Sequence, residues 1–137
     1  MLMRTHYGFD PLRFLPPGED PESGYGWFLG TQLEAEDVVV FVAEHARHVI
    51  GYVYAGVEPL SWKELRDEAG FIHDIAVEED MRRAGAARAL MEAAVEWLRD
   101  RGISRVMLWT AEQNAAAQHL FDALGFRRTM VEMTKEL

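Results

Sequence analysis

Apolar residues along the middle of the chain fall into runs with strand periods and then helix periods. Val38 to Ala43 and Val49 to Val57 are β-branched and aromatic, joined by the polar stretch EHARH, and predict an antiparallel hairpin. Pro59 ends its second strand. LSWKELRDEAG, residues 60–70, predicts a polar loop or a helical turn, and FIHDIAV, residues 71–77, a third strand. The acidic turn EED precedes AARALMEAAVEWLRDRG, where Leu90, Met91, Ala94, Val95 and Leu98 make a helical apolar stripe and Gly102 a C-terminal cap. SRVMLWT then reads as a buried strand. NAAAQHLFDALGF reads as a helix with Ala117, Leu120 and Leu124 on one side and Gly125 at its end. RRTMVEMTKEL reads as a closing strand.

The front is less regular. Residues 1–22 hold four of the five prolines, which predicts irregular chain or a short helix. After them Ser23 is a possible cap, and Phe28, Leu29 and Leu33 are spaced like one helical face. From residue 38 the order is strand, strand, strand, helix, strand, helix, strand. A strand–helix–strand crossover implies a parallel pair inside an otherwise antiparallel sheet. The expected fold is mixed α/β in one domain spanning 1–137, with a mostly antiparallel sheet and helices on both faces. Residues 1–37 form its N-terminal segment and 38–137 its core.

Composition narrows the function. The chain has 137 residues, and four Trp, seven Phe and four Tyr suffice for a packed core, so disorder is not expected. With no cysteine, a disulfide framework, a cysteine zinc site and a cysteine nucleophile are excluded. A net charge of −9 opposes nucleic-acid phosphates and mildly favours cationic small molecules, although solubility alone accounts for it. No apolar run approaches the roughly 20 residues of a membrane span, and the N-terminus lacks a signal-peptide pattern. A soluble, cytoplasmic protein without membrane or nucleic-acid partners is expected.

The chemistry concentrates in MRRAGAARAL, residues 81–90. Arg82, Arg83, Ala84, Gly85, Ala86, Ala87 and Arg88 lie where a helix must begin. The first amides of a helix have no intrahelical partner and the helix dipole is positive there. Small side chains let a bulky anion approach the backbone, and the arginines can pair with phosphate. A phosphate-bearing ligand, in particular a pyrophosphate, fits. A nucleotide P-loop needs Gly-Lys-Ser/Thr, and there is no lysine here. The dinucleotide fingerprint needs three spaced glycines, and there is one.

The segment resembles the acetyl-coenzyme A loop of the GNAT acetyltransferases, whose pattern is Arg or Gln, two residues, Gly, one residue, Gly or Ala. Arg82, Gly85 and Ala87 match it. FIHDIAVEEDMRRAG looks like the family's fourth strand and turn. NAAAQHLFDALGFRRT looks like its second motif, with Asn114, Ala117, Leu120 and Gly125-Phe126 in place. The resemblance covers about residues 38–137. It implies a GNAT-like acyl-CoA N-acyltransferase fold with acetyl-CoA as cofactor. The family's fourth and fifth strands splay apart, which would leave Ile75, Ala76 and Val77 to pair with the pantetheine amides in the manner of strand addition. Asn114 would cap the second helix and touch the cofactor arm.

The implied reaction moves an acetyl group to a primary amine of a small molecule or a protein. An alkylamine is mostly protonated at neutral pH, so a base must take a proton. The candidates are His73 and Asp74, with Glu58 behind them. As neighbours on a strand, His73 and Asp74 are expected to face opposite ways, so that at most one reaches the cofactor cleft. A strand amide such as that of Val77 could stabilise the oxyanion. Two departures stand out. Phe121 replaces the tyrosine that in the family protonates the leaving thiolate, so that role is not carried over, although Phe121 could still pack against the pantetheine end. Only 37 residues precede Val38, with no first strand in them; it is missing or supplied by a partner, and the exposed edge suggests a homodimer. A coenzyme A-binding sensor or interaction module without useful catalysis is the alternative, and a nucleotide-binding regulator a third reading. Trp109 reads as core and His119 as surface. His6, His45 and His48 show no metal spacing, so no metal is expected.

Overall fold

A computed structural model describes residues 2–137, the Arg83 side chain apart. Two compact units are described separately: 23–109, and the residues up to 22 together with 110–137. The first holds the whole sheet. β1 (Val38–His45), β2 (His48–Glu58), β3 (Ala69–Val77) and β4 (Val106–Leu108) lie in the order β1-β2-β3-β4. The first two pairings are antiparallel and β3 with β4 is parallel, as the crossover requires. Ala46 and Arg47 turn the β1–β2 hairpin with φ of 50° and 67°. Positive φ at both central residues is what a two-residue turn matched to strand twist demands, at a strain of roughly 1–2 kcal/mol for each non-glycine residue.

Helices cover both faces. α3 (Ala86–Asp100) buries Leu90, Met91, Ala94 and Leu98 against β1, β2 and β3. Each large side chain contributes about 1.5–3 kcal/mol on leaving water. Gly70 lets Leu98 come close: a Cβ there would lie 2.7 Å from a Leu98 methyl. Gly102, with φ of 78°, follows the end of α3 as expected. On the opposite face α2 (Pro21–Gln32) sets Tyr25 and Phe28 over Tyr52 and Tyr54 of β2.

The other unit carries α1 (Leu2–Phe9) and α4 (Ala115–Ala123). Asn114 caps α4 by accepting the Ala117 amide at 3.2 Å, and Gly125, with φ of 89°, follows its end. Arg13 pairs with Glu132 in the C-terminal segment. No helix among the described residues is long and apolar enough to cross a membrane.

Several expectations are corrected. α2 begins at Pro21, so Ser23 lies inside its first turn; proline suits that opening position because its missing N–H has no partner to lose. Leu33 lies beyond α2 and is exposed. β3 begins two residues before Phe71. β4 is short and half-buried rather than a long buried strand. Residues 127–137 form no strand, and Met130, Val131 and Met133 are exposed; their β-branched and apolar character finds no ladder to join. Among the described residues no strand precedes Val38.

Gly51 sits in the middle of the sheet opposite Val77, where a Cβ would lie 2.7 Å from the Ala76 carbonyl oxygen. A backbone atom in a ladder cannot swing away. Gly51→Ala is therefore expected to destabilise the fold by roughly 1–3 kcal/mol in urea titrations. An unchanged midpoint would mean that β2 and β3 are less tightly matched there.

Candidate functional site

The β2–β3 ladder carries one irregularity, and it lies at the candidate bases. Tyr54 pairs with Asp74 and Ala55 with Ile72, so His73 is an extra residue with no partner on β2. Such a bulge breaks the strict alternation of faces. His73 and Asp74 do not face opposite ways, as simple alternation predicts. Both reach the α2 side, where Tyr52, Tyr54, Gly56 and Glu58 of β2 also point.

Asp74 is the only charged side chain found buried among the described residues, 8% exposed. Tyr25 of α2 and Tyr52 of β2 each donate a hydroxyl to its Oδ2 at 2.5 Å. Burial first, then the Asp74 charge, holds both phenols far above their ordinary pKa. Donors on one buried oxygen compensate its lost hydration. Neither tyrosine is evident from local spacing; only the placement of Tyr52 on the strand beside β3 could have suggested it.

His73 has a different setting. Its ring lies between Tyr54, at 4.7 Å and 30°, and Phe71, at 5.7 Å and 16°. Nε2 lies 3.1 Å from a carboxylate oxygen of Glu58. Burial lowers the imidazole pKa below its ordinary value; the Glu58 charge and hydrogen bond, and the Asp74 charge, oppose that shift. A neutral ring that donates from Nε2 keeps its lone pair on Nδ1. Glu58, a distant candidate for the base in the sequence, is the group that orients His73.

Next to the bulge, β3 outruns its neighbour. The parallel ladder couples Gly70, Phe71 and Ile72 to Val106, Met107 and Leu108 and then stops. β3 continues to Val77, and no strand among the described residues pairs with that edge from His73 onward. Ile75, Ala76 and Val77 lie on this stretch. A 3-10 helix, Glu79–Ala84, separates Val77 from α3, so Arg82, Arg83 and Ala84 belong to that turn rather than to a loop. Arg82 Nε donates to the Val77 carbonyl at 3.2 Å, and the Arg83 side chain lies outside the described atoms. Gly85 joins the two helices with φ of 80° and ψ of 8°. It is glycine because the joint is left-handed, and open space surrounds the place of a Cβ. α3 opens with no side-chain cap, so the amides of Ala86, Ala87 and Arg88 lack intrahelical partners. The Arg88 side chain lies 3.7 Å from Glu92.

The remaining candidate residues divide. Phe121 is buried on α4 with its ring 6.0 Å from Phe126. His119 is exposed, as expected. Trp109 is not core: it is 76% exposed, with its ring 6.1 Å from Phe71. Among the described residues no group of three acidic, histidine or cysteine side chains could hold a metal ion.

Comparison with known proteins agrees with the fold. The Acetyltransferase (GNAT) family model matches residues 4–126. Mycothiol acetyltransferase from Thermobispora bispora is 33% identical over 93 residues, 68% of this chain and 31% of that protein. N-acetyltransferase 8 from Homo sapiens is 33% identical over 89 residues, 65% of this chain and 38% of that protein. The chain thus spans roughly a third of the length of such curated relatives. Among solved structures, a mutant of the BH1408 protein from Bacillus halodurans superposes with TM-score 0.82 at 20% identity, covering 99% of this chain and 87% of the other. AAC(6')-Iy in complex with a bisubstrate analogue of CoA gives TM-score 0.75 at 23% identity, covering 88% and 82%. At these identities both likenesses speak for the fold.

Two outcomes follow from the tyrosine pair. Tyr25→Phe and Tyr52→Phe each remove a donor from buried Asp74 and are expected to cost roughly 1–3 kcal/mol, less than additively, in a double-mutant cycle. Both phenols bind their protons more tightly folded than at the ordinary value of 10.0. Their contribution is therefore full below about pH 10 and is lost as pH rises above it, because the unfolded chain releases those protons first. Stability measured against pH should fall beyond that point, and the double phenylalanine variant should flatten the fall. An equal fall in the variant would assign the alkaline loss to other groups.

Proposed function

The chain belongs to the GNAT family of acetyltransferases, and we propose that it transfers an acetyl group from acetyl-CoA to a primary amine. The observation that carries this reading is the open edge of β3 leading to an uncapped helix start. A ligand with amides in its arm and a diphosphate at its end suits both features. The backbone of Ile75, Ala76 and Val77 would take the arm by strand addition. The amides of Ala86, Ala87 and Arg88 would take the diphosphate, with Arg82 and Arg83 as nearby charge in the chain and Ala84 and Gly85 keeping the approach free. The carbonyl of Val77 already holds Arg82, which ties the basic turn to the end of the strand. For Asn114 and Phe121 the cofactor role rests on the family pattern alone. Acetyl-CoA bound there supplies an activated thioester; the solved complexes of AAC(6')-Iy with CoA and with the bisubstrate analogue favour this choice.

The chain's own part is to manage a proton. The acceptor arrives as an ammonium ion and must lose one proton before its nitrogen can attack. His73 accepts it at Nδ1. The imidazolium so formed keeps Nε2–H on Glu58, whose carboxylate stabilises the new charge. Asp74 adds a second negative charge nearby, and the two hydroxyls on its Oδ2 together with its burial make it the less accessible acceptor.

Gly85→Val adds a branched side chain at a left-handed position and should weaken CoA binding at least about tenfold by calorimetry, from strain of about 1–2 kcal/mol and the blocked approach together. Unchanged affinity would remove the diphosphate site from this turn. His73→Ala should lower kcat by about 10²–10⁴-fold with CoA affinity retained. The acid limb of kcat/KM for the wild type should lie below the ordinary histidine value of 6.5, because burial favours the neutral ring. Glu58→Gln removes the charge that opposes this shift, so its limb should move to still lower pH. A limb that stays put would exclude His73 as the titrating base. CoA binding without turnover on a broad amine panel would leave a cofactor-binding module.

A further inference from the structure

The face that carries His73 is crossed by a continuous row of rings. Phe28 of α2 meets Tyr54 at 6.2 Å, Tyr54 meets His73 at 4.7 Å, His73 meets Phe71 at 5.7 Å, and Phe71 meets Trp109 at 6.1 Å. Tyr54 and Phe71 are buried in the middle, which core packing explains. The Trp109 end is not closed. Its indole stands at 82° to Phe71, so the two rings do not stack, and at 76% exposure it has face area left for a third ring.

Charge along the row is sparse and uneven. Glu58 touches it at His73 and has a side chain 40% exposed. Arg66 lies over Phe71, but its guanidinium is bound to Glu64 and to the carbonyls of Pro59 and Asp67. Asp74 is buried under two hydroxyls. A polyamine or an amino sugar with several ammonium groups calls for several accessible carboxylates, and this row offers one.

From the open indole, the single exposed carboxylate and the proton acceptor between them, we infer that the acceptor is a monocationic arylalkylamine. Its ring packs on Trp109 and its ammonium approaches His73 Nδ1, with the Glu58 charge across the imidazole. The inference rests on the acetyl-transfer reading and narrows it. A flat ring on an indole gains from stacking as well as from burial, and an amine near aromatic faces gains further while it is charged.

The test uses the full chain with 2-phenylethylamine, 2-cyclohexylethylamine and spermidine, in steady-state transfer from acetyl-CoA and in amine titrations with CoA present. CoA itself is titrated separately. The phenyl amine is expected to exceed its cyclohexyl counterpart about three- to tenfold in kcat/KM and in affinity, with spermidine weakest. Trp109→Leu should erase the phenyl preference, and Trp109→Phe should keep most of it. A cyclohexyl amine or spermidine that equals the phenyl amine overturns the inference, as does a preference that survives Trp109→Leu. Failure of CoA to bind sinks the acetyl-transfer reading. In that case, or if no amine is turned over, the amine titrations decide: phenylethylamine binding that depends on Trp109 upholds the aryl site, and no binding overturns it.

Discussion

One extra residue in β3 governs the site. In a regular ladder an imidazole and a carboxylate at adjacent positions would lie on opposite faces, one against α3 and one against α2. The bulge at His73 puts both on the α2 side. Three consequences share that origin: Asp74 reaches Tyr25 and Tyr52, His73 reaches Glu58 and the Tyr54 ring, and the α3 face of β3 remains free for apolar packing. The polar and apolar demands of the strand are thereby separated between two faces.

The bulge also lies where β3 loses its parallel neighbour. Ile72 is the last residue paired to β4, and His73 is the first beyond it. An unpaired strand edge is a liability unless something covers it. Here the edge runs directly into a turn whose arginine returns to the strand's last carbonyl and whose glycine takes a left-handed conformation. Glycine costs roughly 0.5–1 kcal/mol inside a helix, but at a left-handed joint it relieves a larger strain. The same residue that permits the turn leaves the helix start without a side-chain cap. The unpaired edge of β3 and the uncapped amides of α3 stand at the two ends of one short 3-10 turn, and the proposed extended ligand would meet both.

The hairpin, α3 and the crossover were legible because their signals are local: β-branched runs, an apolar stripe from Leu90 to Leu98, a glycine after each of the last two helices. The glycine turn and the Asn114 cap were legible for the same reason. What local pattern cannot carry is a change of register. The residues FIHDIAV alternate well enough to read as a plain strand, and the bulge exists only relative to β2. Tyr25 and Asp74 are 49 positions apart, so their hydrogen bond has no sequence spacing to betray it. The tail at 127–137 shows the reverse error, since strand-like composition forms a strand only where an edge receives it.

The two candidate bases can be separated by what already occupies them. Asp74 is buried and accepts two strong hydrogen bonds on one oxygen, so taking a proton at Oδ2 would displace a phenol that burial keeps protonated. His73 donates at Nε2 and offers an unengaged lone pair at Nδ1, in a ring held on both sides by aromatic neighbours. Partial burial lowers its pKa and so favours the neutral ring, while two carboxylates, Glu58 and Asp74, limit how far its basicity falls. A proton acceptor needs both properties at once: free when the substrate arrives, and stabilised after it has been charged. Asp74 better serves as the anchor that fixes α2 to the sheet through Tyr25.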